Sequence, residues 1–436
     1  MRFSPDSIAE TGILVGLCVF AGSVCLSVSV MEIGLALVLV SLAVKASADA
    51  PLRNGLASKV KADYLPAPWL IYLAAGFVAV IFGLDLRRGL AWWLPDLVKA
   101  GFYFVLICAM NEKRSEPVFR FYLGGAIAAS VYGIVQFLRV PPVSRDAFRS
   151  HGTMNAITYA EVLLIAFAFS ASRLIYAEKR GERVLYAAGC VIIAAALFMS
   201  SSRSPLAGCA LVMITMSVVE ANRLRRLLPA LAAILLAFAI TYGSGSPIRG
   251  RFVGIFNIYS KYIRQDARYS HSTVIGDERV ELWRTGLAIA KDYPVFGVGT
   301  GNIKTTFDFY HPRPMLDDFC NRTVFGYGSV HNLYIQQLAE KGLAGLFSLC
   351  LLLFAMLYLA WKSFRASRTW QSLWLFSVMP AFFLINITET AFQHAVVAGS
   401  LMLALTSRTV TVKLRLWPPA LAAAGVTVLA ALFLFR

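Results

Sequence analysis

Charge is scarce in this chain. Of its 436 residues 15% are Asp, Glu, Lys or Arg, whereas 58% are hydrophobic, and the mean hydropathy is +0.66. That balance excludes a soluble globular protein of this length and implies a polytopic membrane protein. A bilayer-spanning helix needs roughly 20 apolar residues, and lipid offers no partners to the peptide groups, so repeated runs of that length must fold as helices. Cysteine supplies no framework either. Cys18, Cys25, Cys108, Cys190, Cys209 and Cys350 fall inside apolar runs as small core residues, and Cys320 has no loop partner. No CxxC pair is present, which excludes the usual zinc spacing. The first apolar run begins near Ile8 after a single arginine and lacks a small-residue cleavage site, so no cleavable signal is expected. The glycines of GVGTGN, residues 297–302, form neither a Walker loop nor a dinucleotide fingerprint, since both require a preceding strand.

What is present is a series of apolar runs, which predicts an all-α polytopic membrane protein of about 12 transmembrane helices. They are placed at residues 10–28, 30–46, 66–84, 93–110, 117–138, 156–172, 184–200, 204–220, 227–243, 343–361, 371–387 and 390–407, and residues 417–435 form a further span or a half-buried tail. Residues 1–242 thus carry helices one to nine, 243–331 form a long polar loop region and 332–436 hold the C-terminal helices. Lysine and arginine sort the ends. Lys45, Arg53, Lys59 and Lys61, then Lys113 and Arg114, then Arg173, Lys179, Arg180 and Arg183 recur after every second span, as do Arg223, Arg225 and Arg226, Lys362, Arg365 and Arg368, and Arg408, Lys413 and Arg415. By the positive-inside rule that side is cytoplasmic and the long loop is external.

The external side nevertheless holds its own cations. Between 243 and 331 there are eight arginines and three lysines. Guanidinium stays charged and its planar fork fits phosphate, so the excess points to an anionic, phosphorylated ligand. Pairing with acids of the same loop, such as Asp277, Glu281 and Asp292, is the competing explanation for any one of them. Three external segments converge: RDAFRSHGTMNAITYAE with Arg145 and Arg149, the turn SSRSP with Arg203, and the end of the long loop with Arg279, Arg284 and His331. Arg203 sits at the edge of hydrocarbon, where a charge is costly without a partner. The spacing predicts a surface helix over 277–292 with Trp283 as interfacial anchor, stopped by Pro294, and a flexible glycine turn after it. Beside His331 stand Asn332 and Tyr334, candidates for substrate binding.

The SSRSP turn, the pair Arg279 and Trp283 followed by PVFGVGTGN, and VHNLYIQQLAEKG opening the next span resemble the O-antigen ligase and polymerase superfamily of bacterial envelope enzymes. Within it the ligases that attach O-antigen to the lipid A core fit best. The resemblance implies a GT-C-type glycosyltransferase in the inner membrane with its active site facing the periplasm. It implies Arg203 and Arg279 as diphosphate-binding arginines and His331 as the catalytic residue. The expected donor is a glycan on undecaprenyl diphosphate and the acceptor a lipid A core hydroxyl, with no cofactor and no metal. His331 would act as general base in an inverting transfer, and Glu389 in the turn NITET is the alternative base. The rival functions are an O-antigen polymerase of the same superfamily and a lipid-linked glycan flippase or exporter. An exporter would place ionisable residues near the midplane, whereas Lys99 and Glu161 are read as lying close to span ends.

Overall fold

Long apolar runs leave the backbone one way to satisfy itself in lipid, and the described chain is helical throughout apart from one small hairpin. This computed structural model describes residues 5–141, 148–226, 275–311, 315–317, 322–324 and 328–407, with scattered positions between 228 and 239. The helices are α1 Pro5–Ser23, α2 Val28–Ala48, α3 Ala50–Ala62, α4 Pro66–Ile81, α5 Leu86–Ala109, α6 Glu112–Arg139, α7 Ala156–Tyr176, α8 Arg180–Ser200 and α9 Arg203–Val219. They continue with α10 Ile275–Asp292, α11 Ile303–Tyr310, α12 Leu333–Ala366, α13 Trp370–Thr388 and α14 Ala395–Thr406. The strands β1 Met315–Asp317 and β2 Arg322–Val324 pair antiparallel.

Among the described residues seven helices are long and apolar enough to cross a membrane; α3 and α4, bent by 77°, make an eighth if they form one span. The chain is a multi-pass membrane protein. The expectation of about twelve spans is met only in part, because α1, α9 and α14 are shorter apolar helices and because 417–435 and much of 227–243 lie outside the described residues. Helix α3 was not foreseen: it lies where a loop was read, started by Asp49, whose side chain accepts from Leu52 N at 3.0 Å. It buries none of its residues.

At the centre stands α7, with 83% of its apolar window buried against 28% for α2. Trp374 on α13 donates its indole N–H to Ile165 O of α7 at 3.0 Å, which fixes the rotation of one helix against the other. The longest element, α12, departs from expectation. It starts at Leu333 rather than 343 and runs through a break at Gly342, whose φ of 63° a side chain would strain. The break strands carbonyls, and the loop after α10 supplies the donors: Val298 N bonds Ala339 O at 3.0 Å and Gly299 N bonds Glu340 O at 2.9 Å. Glycine is required there because a Cβ on Gly297 would lie 2.3 Å from the Glu340 carbonyl carbon. The glycine turn is therefore buried packing rather than a free phosphate loop.

Beneath that joint the bundle holds a closed ion cluster. Asp96 on α5 accepts from Lys99 and from Lys341 of α12, each at 2.7 Å, and from Tyr72 OH of α4 at 3.1 Å. Lys99 thus lies within the bundle, paired, and not at a span end. Charges in a span are retained when they pair with one another, and here the pairing fastens α4, α5 and α12 together.

Candidate functional site

Loops at one end of the bundle bring the singled-out residues together. The α8–α9 turn closes with Ser201 in the left-handed region at φ 53°, so Ser200, Ser201 and Ser202 turn the chain within one step. Arg149 clamps that turn: its Nε donates to Ser200 O at 3.2 Å and its Nη2 to Ser202 Oγ at 2.8 Å. Burial, assisted by repulsion from Arg279 and Arg203 and opposed by the pull of Glu389, lowers the Arg149 pKa. Arg203, the first residue of α9, has no ion-pair partner among the described residues, and the cation it feels is Arg279.

Arg279 is delivered by α10. Leu282 and Ile289 of that helix, with Val298, Ile303, Phe307, Val330 and Ala339, form a second small core that also includes one face of Trp283. Trp283 is thus partly buried against this core. Gly286 lets α10 approach α12, since a Cβ there would meet Ile335 Cγ2 at 2.6 Å. Arg279 lies one turn before Leu282, on the same face, and its guanidinium pairs with Glu389 Oε1.

His331 precedes α12 with φ 47°, a conformation uncommon outside glycine and characteristic of constrained functional positions. Gln336 builds the turn by accepting from Val330 N at 2.9 Å and donating to Gly328 O at 3.2 Å. Leu333 N bonds Glu389 O at 3.0 Å, so the backbone of the α13 end is stitched to the start of α12. The ring follows: His331 Nδ1 lies 3.1 Å from Glu389 Oε2. Glu389, 4% exposed, therefore bridges Arg279 and His331, which is 27% exposed. An ionised carboxylate only accepts, so it selects the tautomer with hydrogen on Nδ1.

The other candidates divide. Arg145 lies outside the described residues. Arg284 shares α10 with Arg279 but pairs with Glu281 at the surface, 69% of its side chain exposed. Asn332 is engaged as the α12 cap, accepting from Tyr334 N and Ile335 N at 3.0 Å each. Tyr334 turns to the bundle and donates to Phe383 O at 3.3 Å. Glu161 and His394, given no role in the sequence, form a further pair at 2.8 Å on the same end; the signal for them was only that each interrupts an apolar run.

Alongside the arginines runs an apolar cavity of ≈ 930 Å³ bounded by α7, α8, α9 and α13, lined by side chains such as Phe167, Leu197, Leu206 and Met213, with Arg203 and Arg279 in its wall. Its walls are apolar apart from these two guanidinium groups and a few hydroxyl side chains.

Two similarities to known proteins bear on this site. Residues 188–350 match the family described as O-Antigen ligase. That segment includes Arg203, Arg279 and His331 and bears out the resemblance drawn from SSRSP, PVFGVGTGN and VHNLYIQQLAEKG. A Haemophilus influenzae protein described as an uncharacterized protein is 25% identical over 129 residues, 29% of this chain and 31% of that protein. The chain therefore spans under a third of that relative's length.

Proposed function

With residues 188–350 carrying the O-antigen ligase family match, we propose that the protein is an inverting glycosyltransferase of that superfamily. It transfers O-antigen glycan from undecaprenyl diphosphate to a lipid A core hydroxyl, at the periplasmic face of the bacterial inner membrane. The observation that carries this reading is the apolar cavity ending at Arg203 and Arg279. A polyprenyl chain fills the cavity and its diphosphate meets the two guanidinium groups. Arg279 holds Glu389 and still presents donors, because guanidinium carries five N–H groups. Arg149 adds charge from the serine turn.

In the transfer, the acceptor hydroxyl oxygen attacks the anomeric carbon as the bond from that carbon to the diphosphate oxygen breaks. The bonding pair leaves with the diphosphate, and the centre inverts. His331 takes the hydroxyl proton at Nε2, while Glu389 holds Nδ1–H and stabilises the imidazolium. Charge grows on the leaving group, so Arg203 and Arg279 stabilise the transition state more than the ground state. This supplies the electrophilic assistance that a metal gives in other transferases, and the reaction is metal-independent in this reading. The helical bundle with its external segment is of the GT-C type, with 243–331 on the periplasmic side between the two sets of helices.

The test is the lipopolysaccharide of cells lacking the protein. Bare core, together with accumulated polymerised lipid-linked glycan, is the expected result. Core carrying a single unit would replace the ligase by the polymerase of the same superfamily, and unchanged lipopolysaccharide would remove both.

A further inference from the structure

A second Glu–His pair stands beside the first and has no part in the transfer as written. Glu161, on the most buried helix of the bundle, is 0% exposed and meets His394 Nδ1 through Oε2 at 2.8 Å. Thr158, one turn earlier on α7, places Oγ1 3.2 Å from the same nitrogen. The other carboxylate oxygen, Oε1, is buried without a hydrogen-bond partner among the described residues. A carboxylate sunk among apolar side chains with one oxygen unsatisfied is costly, and an amide or an aliphatic residue would cost less. An ionisable group inside a span is by default a functional candidate together with its partner.

Its partner is the more accessible one. His394 is 35% exposed, and with Nδ1 committed to Glu161 and Thr158, Nε2 is the ring nitrogen that can meet a ligand. The place is defined by one short turn. Glu389 and His394 flank residues Ala391–Gln393, and Asn386 Oδ1 fixes that turn by accepting from Phe392 N at 3.2 Å. Inverting displacement requires the incoming oxygen to approach opposite the leaving group. The base that receives the proton of that oxygen is His331, and Glu389, which holds it, begins the turn that ends at His394.

We propose that His394 binds a hydroxyl of the acceptor sugar, with Glu161 and Thr158 as the residues that position its ring. This rests on the transferase reading above. Glu161, as acceptor, keeps hydrogen on Nδ1, so Nε2 accepts from a sugar hydroxyl neighbouring the one that His331 deprotonates. A proton exit through His394 is unnecessary, because His331 is itself 27% exposed.

The experiment uses the full chain reconstituted with undecaprenyl diphosphate-linked O-antigen as donor and O-antigen-free lipopolysaccharide as acceptor. Acceptor KM, donor KM and direct binding of undecaprenyl diphosphate are measured for wild type, His394→Asn and Glu161→Gln. The asparagine suits the N-cap position of α14 that His394 holds, and the glutamine is isosteric. The expected result is an acceptor KM raised about tenfold or more in His394→Asn, the loss of one good hydrogen bond, and raised less in Glu161→Gln. Donor KM and undecaprenyl diphosphate binding stay at wild-type values. Acceptor KM within twofold of wild type in both variants overturns the assignment, and so does parallel loss of donor binding, which marks the pair as structural. A wild-type protein that transfers nothing to the core refutes the transferase reading and this inference with it.

Discussion

Replacing Glu389 with glutamine separates the two contacts that this carboxylate makes. Its Oε1 pairs with Arg279 and its Oε2 meets His331 Nδ1 at 3.1 Å, in a side chain 4% exposed. The amide keeps the shape but has one accepting oxygen and one donating nitrogen. Arg279 claims the oxygen, because guanidinium only donates, and the NH2 then faces Nδ1. That contact favours the tautomer with hydrogen on Nε2, which accepts no proton from the acceptor sugar. Losing the orienting hydrogen bond alone is worth about 1.5–3 kcal/mol, about 10- to 150-fold in rate at 1.36 kcal/mol per decade. Losing the base as well brings the fall to about 10²- to 10⁴-fold. The size of the effect therefore decides the role: near tenfold means orientation only, and about 10³-fold means that the tautomer has switched.

Donor binding should move the other way. Without the counter-charge of Glu389, Arg279 binds diphosphate at least as tightly as in the wild type. The assay is turnover at saturating donor and acceptor, beside an undecaprenyl diphosphate binding isotherm, for Glu389→Gln, His331→Gln and the double variant. Residues that act as one unit are not additive, so the double variant should be no slower than the worse single. Turnover within threefold of wild type in Glu389→Gln, or donor binding lost together with turnover, refutes the reasoning.

Arg203→Lys and Arg279→Lys retain charge but lose the fork, so transfer should fall steeply at normal protein levels; wild-type transfer by either alanine variant would make that arginine structural. Lys304 is exposed at the end where the site lies, and a cysteine there should react in intact cells with a reagent that passes only the outer membrane; an active variant that stays unlabelled would reverse the topology. Transfer by the purified protein should continue in excess EDTA, whereas activity lost to chelator and restored by magnesium would assign the leaving-group charge to a metal. Gly299→Ala places a Cβ 2.6 Å from Gly83 Cα at a φ of 97°; it should destabilise the protein by at least about 1–3 kcal/mol, read as a lower unfolding temperature in detergent, and an unchanged temperature would show that the glycine turn yields.

The apolar runs were legible because lipid imposes one solution on them, and most described spans begin and end within a few residues of the expected positions. Errors arose where polar residues are buried. The span after the long loop, expected from 343, begins ten residues earlier, and its first turns carry Glu340 and Lys341; both are buried, Lys341 on Asp96 and Glu340 accepting from Gln336 at 2.8 Å. Lys99, read as lying near a span end, is likewise held within the bundle by Asp96. For the site, loop parity was enough to put Arg203, Arg279 and His331 on one end, and the family motifs named them. Parity does not give rotation about a helix axis. Arg279 and Arg284 are five residues apart on α10, about 140° around the helix at 3.6 residues per turn, so one reaches Glu389 and the other the surface. Nor does a sequence say which charges meet across it. His331 and Glu389 are separated by 58 positions and Glu161 and His394 by 233, yet each pair is in contact. An ionisable residue inside an apolar run therefore announces that it has a partner, and only packing says which; the roles of Glu389, Glu161 and His394 follow from those partners rather than from the residues themselves.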